Sequence, residues 1–278
     1  MTSPPPNPAA SLRIDDANSL YVIAHPPGRA GAPSFVFVNA ITGTTDHWEA
    51  AVAPDLRQAG FGTVSYNLRG QAGSAFAPGT ELTDTLIVED LGRVIAAHGG
   101  ARPILVGLSI GGLYAARAHQ AGAACAGLVL LNTLREIGAR IAWVNDALPV
   151  VAARLGMAVF ADVMSPMILN PEALTEARAN AFTQAYEPLA PDSGLMNIIR
   201  NSPATDWNVD WSAIAVPTLI VTGHCDRVFR DPEVIDRLAA RIPDHRREEW
   251  PDCGHMVPVE RPERLAERLA AFGAEVEG

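Results

Sequence analysis

The sequence contains no lysine, so all 21 basic side chains are arginine. That absence excludes Schiff-base chemistry on lysine, a pyridoxal-phosphate lysine and the lysine of a phosphate-binding P-loop. Cysteine is scarce: Cys125, Cys225 and Cys253 are the three present. None forms a C-x-x-C pair, which argues against a zinc knuckle or a thioredoxin-like site, and the odd count suits a reducing compartment. Cys225 and Cys253 fall on neighbouring loops, where a disulfide between them stays open, and two free thiols are the expectation in a reducing compartment. There is no apolar run of about 18 residues, so no membrane-spanning helix is expected. There is no H-E-x-x-H and the seven histidines are scattered; no metal site is expected. No G-x-G-x-x-G follows the first strand, so no dinucleotide and no other cofactor is expected. Positive charge is in deficit, with a net charge of −10 and a pI near 5.1. A nucleic-acid binder needs a basic face, so no nucleic-acid partner is expected.

What is present is a globular composition, 48% hydrophobic and 19% charged. Met1 to Ala10 is proline-rich without the apolar segment of a signal peptide, so residues 1–12 are expected as a disordered tail and the protein as cytoplasmic. Beyond it, short apolar runs alternate with helical patterns. Leu20–Ala24, Phe35–Val38, Phe61–Tyr66, Pro103–Val106, Gly127–Leu131, Pro217–Val221 and Arg246–Trp250 read as strands. Asp46–Ala59, Thr83–His98, Ile110–Ala121, Asp231–Arg241 and Arg261–Phe272 carry apolar residues at helical spacing. This alternation predicts an α/β fold with a mostly parallel sheet and helices on both faces. Residues 133–216 break the alternation, since a crossover needs only about a dozen residues. Their helical pieces, clearest at Ile137–Val151 and Pro171–Ala185, predict an inserted helical cap over 134–214. The core then comprises 13–133 and 215–278. The ligand is expected outside the carboxyl ends of the strands.

The strongest local signal is Gly107-Leu108-Ser109-Ile110-Gly111, between the strand at Ile104–Val106 and the helix that begins at Ile110. A nucleophile elbow requires that context, because the turn is too tight for side chains two residues either side of the serine. A serine nucleophile needs a base, and the base an orienting acid. Asp226 follows the Thr218–Val221 strand, and His255 follows the Arg246–Trp250 strand. The chain order Ser109, Asp226, His255 is the order this fold uses. His224 competes as base but has no strand of its own. Asp252 competes as acid but lies too near His255 in sequence to reach its ring. Two oxyanion donors are expected from the amides of Ile110, after the serine, and Ile41, in the loop after the Phe35–Val38 strand.

With these residues in place the chain resembles an α/β-hydrolase fold serine hydrolase, over Phe35–Asn132 and Pro217–Phe272. Tyr66-Asn67-Leu68-Arg69-Gly70, with Gly73-Ser74, is similar to the family's D-x-R-G-x-G-x-S stretch. Asn67 replaces the acid and one residue is added before Gly73. Gly254-His255, followed by Pro258, Glu260 and Pro262, is also family-like, whereas the common His-Gly before the oxyanion residue is here Asn39-Ala40. Within the family, Asn39 to Thr44, Gly107 to Gly112 and Leu131-Asn132-Thr133 with Ile137-Gly138 resemble 3-oxoadipate enol-lactonase-type hydrolases.

The resemblance implies hydrolysis of a carboxylic ester or lactone of a small molecule through an acyl-enzyme, without cofactor. Carbon–carbon bond cleavage in meta-cleavage products, thioester hydrolysis, lyase or cofactor-free oxygenase chemistry, and ligand binding without catalysis all stay open on this scaffold. For the substrate pocket, Asn39, Trp143, Met164, Met196 and Trp207 are the candidates, with Met157 and Met167 beside them. Arg135, Arg140, Arg154, Arg178 and Arg200 fall in or beside the cap, and one that faces inward could hold a substrate carboxylate.

Overall fold

The computed structural model describes residues 10–277. Among them, eight strands form one sheet: β1 (Ala10–Arg13), β2 (Ser19–His25), β3 (Ser34–Val38), β4 (Gly62–Tyr66), β5 (Pro103–Leu108), β6 (Gly127–Leu131), β7 (Thr218–Gly223) and β8 (His245–Trp250). Their spatial order is β1-β2-β4-β3-β5-β6-β7-β8. The pairs β1–β2 and β2–β4 are antiparallel, and every pair from β4 to β8 is parallel. Strands β3 to β7 bury every residue, which is why β3, β5 and β6 read as continuous apolar runs, whereas β4 buries Thr63 and Ser65 as well.

The two faces follow the period of two along each strand. In β3, Val36 and Val38 face a layer that includes Leu91, Leu113, Trp211 and Ile235, while Phe35 and Phe37 face Trp48, Leu56, Leu269 and Phe272. Helices Asp84–His98, Ile110–Gln120 and Pro232–Ala239 supply the first layer, and Val52–Gln58 with Pro262–Glu277 the second. The helix starts are legible locally. Thr83 caps the amide of Leu86, and Asp231 caps that of Val234 ahead of Pro232. Strand β8 is the sheet edge opposite β1, and its charged sequence suits an edge.

The arginine of the Tyr66–Gly70 stretch is a structural residue. Arg69, 5% exposed, grips Asp90 with two bonds, Nε to Oδ2 at 2.8 Å and Nη2 to Oδ1 at 2.6 Å. Removing one partner of a buried pair strands the other charge. Asp90→Ala is therefore expected to lower stability by about 3–5 kcal/mol in a denaturant titration.

Between β6 and β7 lie helices Ala139–Arg154, Met157–Ile168, Pro171–Arg178 and Gly194–Asn201. Met157–Ile168 and Gly194–Asn201 fall within the expected helical stretch 134–214 but outside its two clearest pieces. The first is apolar around most of its circumference and so carries little periodic signal. The expected helix over Asp46–Ala59 is two, because Ala51 (φ −149°, ψ −55°) leaves the helical region. The expected Pro171–Ala185 helix stops at Arg178. At the N-terminus, residues 1–9 lie outside the described residues. Ala10 to Leu12, assigned to the tail, instead pair with Leu20 to Val22 as β1.

Candidate active site

Ser109 stands at the break between β5 and the helix Ile110–Gln120, with φ 57° and ψ −122°. That left-handed conformation is costly for a residue with a Cβ and persists only where its surroundings enforce it. Here the flanking glycines allow the close approach. A Cβ on Gly107 would sit 2.2 Å from the Gly112 nitrogen, and one on Gly111 would sit 2.2 Å from the Val38 oxygen. The Ser109 amide is held by the Leu131 carbonyl at 2.8 Å.

The loops after β7 and β8 bring Asp226 and His255 together. His255 Nδ1 and Asp226 Oδ2 are 2.6 Å apart, and both side chains are buried. The other carboxylate oxygen accepts the amides of Val228 (3.0 Å) and Phe229 (2.9 Å). Burial alone would raise the Asp226 carboxyl, but the charge and hydrogen bond of His255, the Phe229 amide and the charge of Arg135 outweigh it. The net direction is below the ordinary carboxylate value. The Phe229 ring lies against the imidazole, with centroids 4.6 Å apart.

Two further side chains tie these loops. Asn132, the other non-glycine of positive φ at this end of the sheet (48°), follows β6. Its Oδ1 accepts the Gly223 amide at 2.8 Å, and its Nδ2 donates to the carbonyls of Gly254 (2.9 Å) and His255 (3.0 Å). Glu260, 5% exposed, accepts the amides of Gly254 (2.8 Å), Asn170 (2.7 Å) and Met256 (2.8 Å). The His255 amide donates to the Ile168 carbonyl at 2.6 Å. The histidine loop is thus bound on one side to the helical insertion. Glu260→Ala leaves two buried amides and one half-buried amide without acceptors, and is expected to cost about 3 kcal/mol of stability. It should also lower activity at temperatures where the fold persists, as melting and rate measurements on the same preparation will read.

The loop after β3 is shaped by a buried amide network. Gln71 Nε2 donates to the Ile41 carbonyl at 2.7 Å, and its Oε1 accepts the Leu68 amide at 2.8 Å. Asn67 Oδ1 accepts the Thr45 amide at 2.8 Å. Among the described residues the amides of Ile41 and Ile110 have no acceptor.

Ser109, His255, Ile41 and Ile110 line one cavity of about 140 Å³. Met164 and Trp207, both expected there, line it as well, together with Ile141, Leu148 and Phe160 of the insertion. Asn39 does not: it is buried beside the cavity, with Nδ2 on the Tyr66 carbonyl and Oδ1 on Trp48 Nε1, each at 2.8 Å. Met196 does not either, since it packs among Leu148, Ala152 and Ile199 in the core of the insertion. Trp143 is 79% exposed and borders a separate apolar groove of about 620 Å³ with Met167. That groove shares Val144, Phe160 and Met164 with the Ser109 cavity. Met157 packs against the insertion's core. Of the arginines considered, Arg140, Arg154, Arg178 and Arg200 are exposed and Arg135 is buried in the cavity wall. Arg135 Nη2 donates to Ser109 Oγ at 3.0 Å. Burial pushes its guanidinium down to about 10, against the pull of Asp226. The three cysteines are free thiols, and burial pushes Cys125 up to about 12. His224 and Asp252 stand apart from the cavity, bonded to Glu249 and to Arg261 and Arg264.

Known proteins resemble this chain in sequence and in fold. Residues 35–268 match the alpha/beta hydrolase family. Haloalkane dehalogenase 2 of Mycobacterium bovis is 40% identical over 90 residues, 32% of this chain. That match spans only 29% of the dehalogenase's own length. The 3-oxoadipate enol-lactonase 1 of Acinetobacter baylyi is 25% identical over 270 residues, covering 94% of this chain and 96% of that protein. A thermophilic esterase from Thermogutta terrifontis superposes with a TM-score of 0.77 at 22% identity, covering 98% of this chain and all of that one.

Proposed function

The chain belongs to the alpha/beta hydrolase family, and from that premise we propose that it hydrolyses carboxylic esters or lactones of small molecules through Ser109, His255 and Asp226. The observation that carries this reading is the 2.6 Å bond from Asp226 to Nδ1 of His255, a histidine that lines the same cavity as the strained Ser109. The enol-lactonase and esterase likenesses support the reaction class.

In this mechanism Ser109 Oγ attacks the carbonyl carbon and the Nε2 atom of His255 accepts its proton. Asp226 fixes the imidazole tautomer and stabilises the imidazolium. The amides of Ile41 and Ile110 donate to the tetrahedral oxyanion, the second from a helix N-terminus where the dipole adds to the hydrogen bond. His255 then protonates the leaving oxygen, which departs as an alcohol. Water adds to the acyl-enzyme by the same route, and the acid leaves. Residues 134–214 act as the cap that shapes the acyl and leaving-group pocket.

A covalent intermediate has a kinetic signature. With p-nitrophenyl acetate, rapid mixing is expected to release one equivalent of nitrophenol per active site before the steady state. The reading fails if a panel of short esters and lactones is turned over no faster than by the Ser109→Ala protein.

A further inference from the structure

Arg135 is a buried cation without an anion. It is 5% exposed, as Arg69 is, yet Arg69 has its two-bond partner in Asp90 and Arg135 has no carboxylate at ion-pair distance among the described residues. Its bonds go to neutral oxygens. Nε donates to the Thr133 carbonyl at 3.2 Å, and Nη2 donates to the Asn132 carbonyl at 2.6 Å and to Ser109 Oγ at 3.0 Å. A guanidinium has five N–H donors, so the two on Nη1 are left without an acceptor. Nor is Nη1 sealed away: among the described residues the buried, solvent-inaccessible side-chain atoms without a partner are Tyr66 Oη, Asn170 Nδ2 and Arg230 Nε. The guanidinium is held by two rings, Trp207 and Phe229, each centred 4.8 Å from its carbon. These rings limit water around the charge and fix the plane in which the free donors lie. Asp226 attracts the guanidinium from a distance but makes no contact with it within ion-pair range, its bonds going to His255 and to backbone amides.

Leaving a charge buried and unpaired is expensive, and sites that do so are organised around a ligand. We propose that Arg135 is the specificity residue of this site and binds a carboxylate carried by the substrate, only a few bonds from the scissile carbonyl. The inference rests on Ser109 being the nucleophile. The short separation follows from the shared guanidinium: one nitrogen touches the attacking oxygen while its neighbour offers the free donors. The planar fork, held between two rings, suits a planar carboxylate. The substrates that fit are half-esters of short dicarboxylic acids, or a lactone with a carboxylate on or beside its ring. A neutral ester of the same size leaves the Nη1 donors unpaired.

The test compares kcat/KM for the monoethyl half-esters of malonic, succinic, glutaric and adipic acids with that for the corresponding diethyl esters. Fluorophosphonate labelling of Ser109 is followed in parallel, because that probe carries no carboxylate. The wild-type protein is expected to prefer a half-ester of at least one chain length by about tenfold or more, the worth of one charge-assisted hydrogen bond. Arg135→Gln should abolish or reverse that ratio, and Arg135→Lys should restore part of it. A merely structural role for Arg135 would change both substrates alike and leave the ratio in place. A variant that loses the fold does not blunt the test, because the wild-type ratio alone decides it. Wild-type protein that labels at Ser109 yet prefers the diester at every length overturns the carboxylate subsite and leaves the hydrolase reading standing. Wild-type protein that does not label overturns the hydrolase reading, and the subsite with it.

Discussion

Ser109→Ala is expected to lower kcat by about 10⁴-fold or more toward any ester the protein accepts. That corresponds to about 5 kcal/mol of lost transition-state stabilisation. The argument is local. Ser109 is the residue the β5–helix turn holds at φ 57°, and it is 7% exposed in the wall of the cavity that His255 lines. Alanine keeps the turn possible and removes only the oxygen. The fold should therefore survive, with a melting temperature close to that of the parent. Residual turnover should be that of the proposed oxyanion donors, Ile41 and Ile110, and of binding alone. Both are read from one preparation, by steady-state kinetics and thermal melting.

Asp226→Asn is expected to reduce kcat by about 10⁴-fold while the protein remains folded. Asparagine preserves the shape, and its amide oxygen can still accept the amides of Val228 and Phe229 in place of Oδ1. Its NH₂ group then faces His255 Nδ1, which must become an acceptor, so the ring carries its proton on the nitrogen that should receive one from Ser109. The sign of the pH dependence follows from the direction of the Asp226 shift. Its folded carboxyl lies below the ordinary value. The stability it contributes is therefore fully present above that ordinary value, and is lost as the pH falls through the depressed one. At neutral pH the carboxylate is charged. The parent should lose stability on acidification more steeply than the asparagine variant, in denaturant midpoints measured from neutral to acid.

The parts of this molecule that the sequence discloses are those fixed by short-range rules. Buried strands such as Phe35–Val38 and Gly127–Leu131 carry their own apolar signature, because both faces of the sheet are covered. Gly107 and Gly111 are readable because a Cβ at either position would run into backbone, and Ser109 because it stands between them at the strand-to-helix turn. Asp226 and His255 are readable because each follows a strand at the end of the sheet where ligands gather.

What stays hidden depends on partners far along the chain. Nothing local distinguishes Arg135 from Arg140. The first is turned inward by Trp207 and Phe229, and the second bonds the Arg230 carbonyl at the surface. Asn39 sits two residues before Ile41 in sequence, yet its side chain is drawn away from the cavity by Tyr66 and Trp48. Gln71, the loop's anchor, falls where the Tyr66–Ser74 stretch departs from the family pattern. Its partner carbonyl, at Ile41, lies 30 residues away. Trp143 and Met196 lie on amphipathic helices whose inner faces meet different neighbours, so spacing alone does not say which face meets the cavity.

The most direct measurement is reaction of the intact protein with a fluorophosphonate probe, read by mass spectrometry with mapping of the modified residue. An activated serine in a working Ser-His-Asp arrangement predicts one adduct per chain at Ser109, and none in the His255→Ala protein. Folded wild-type protein that carries no adduct, or that labels equally well without His255, contradicts the account.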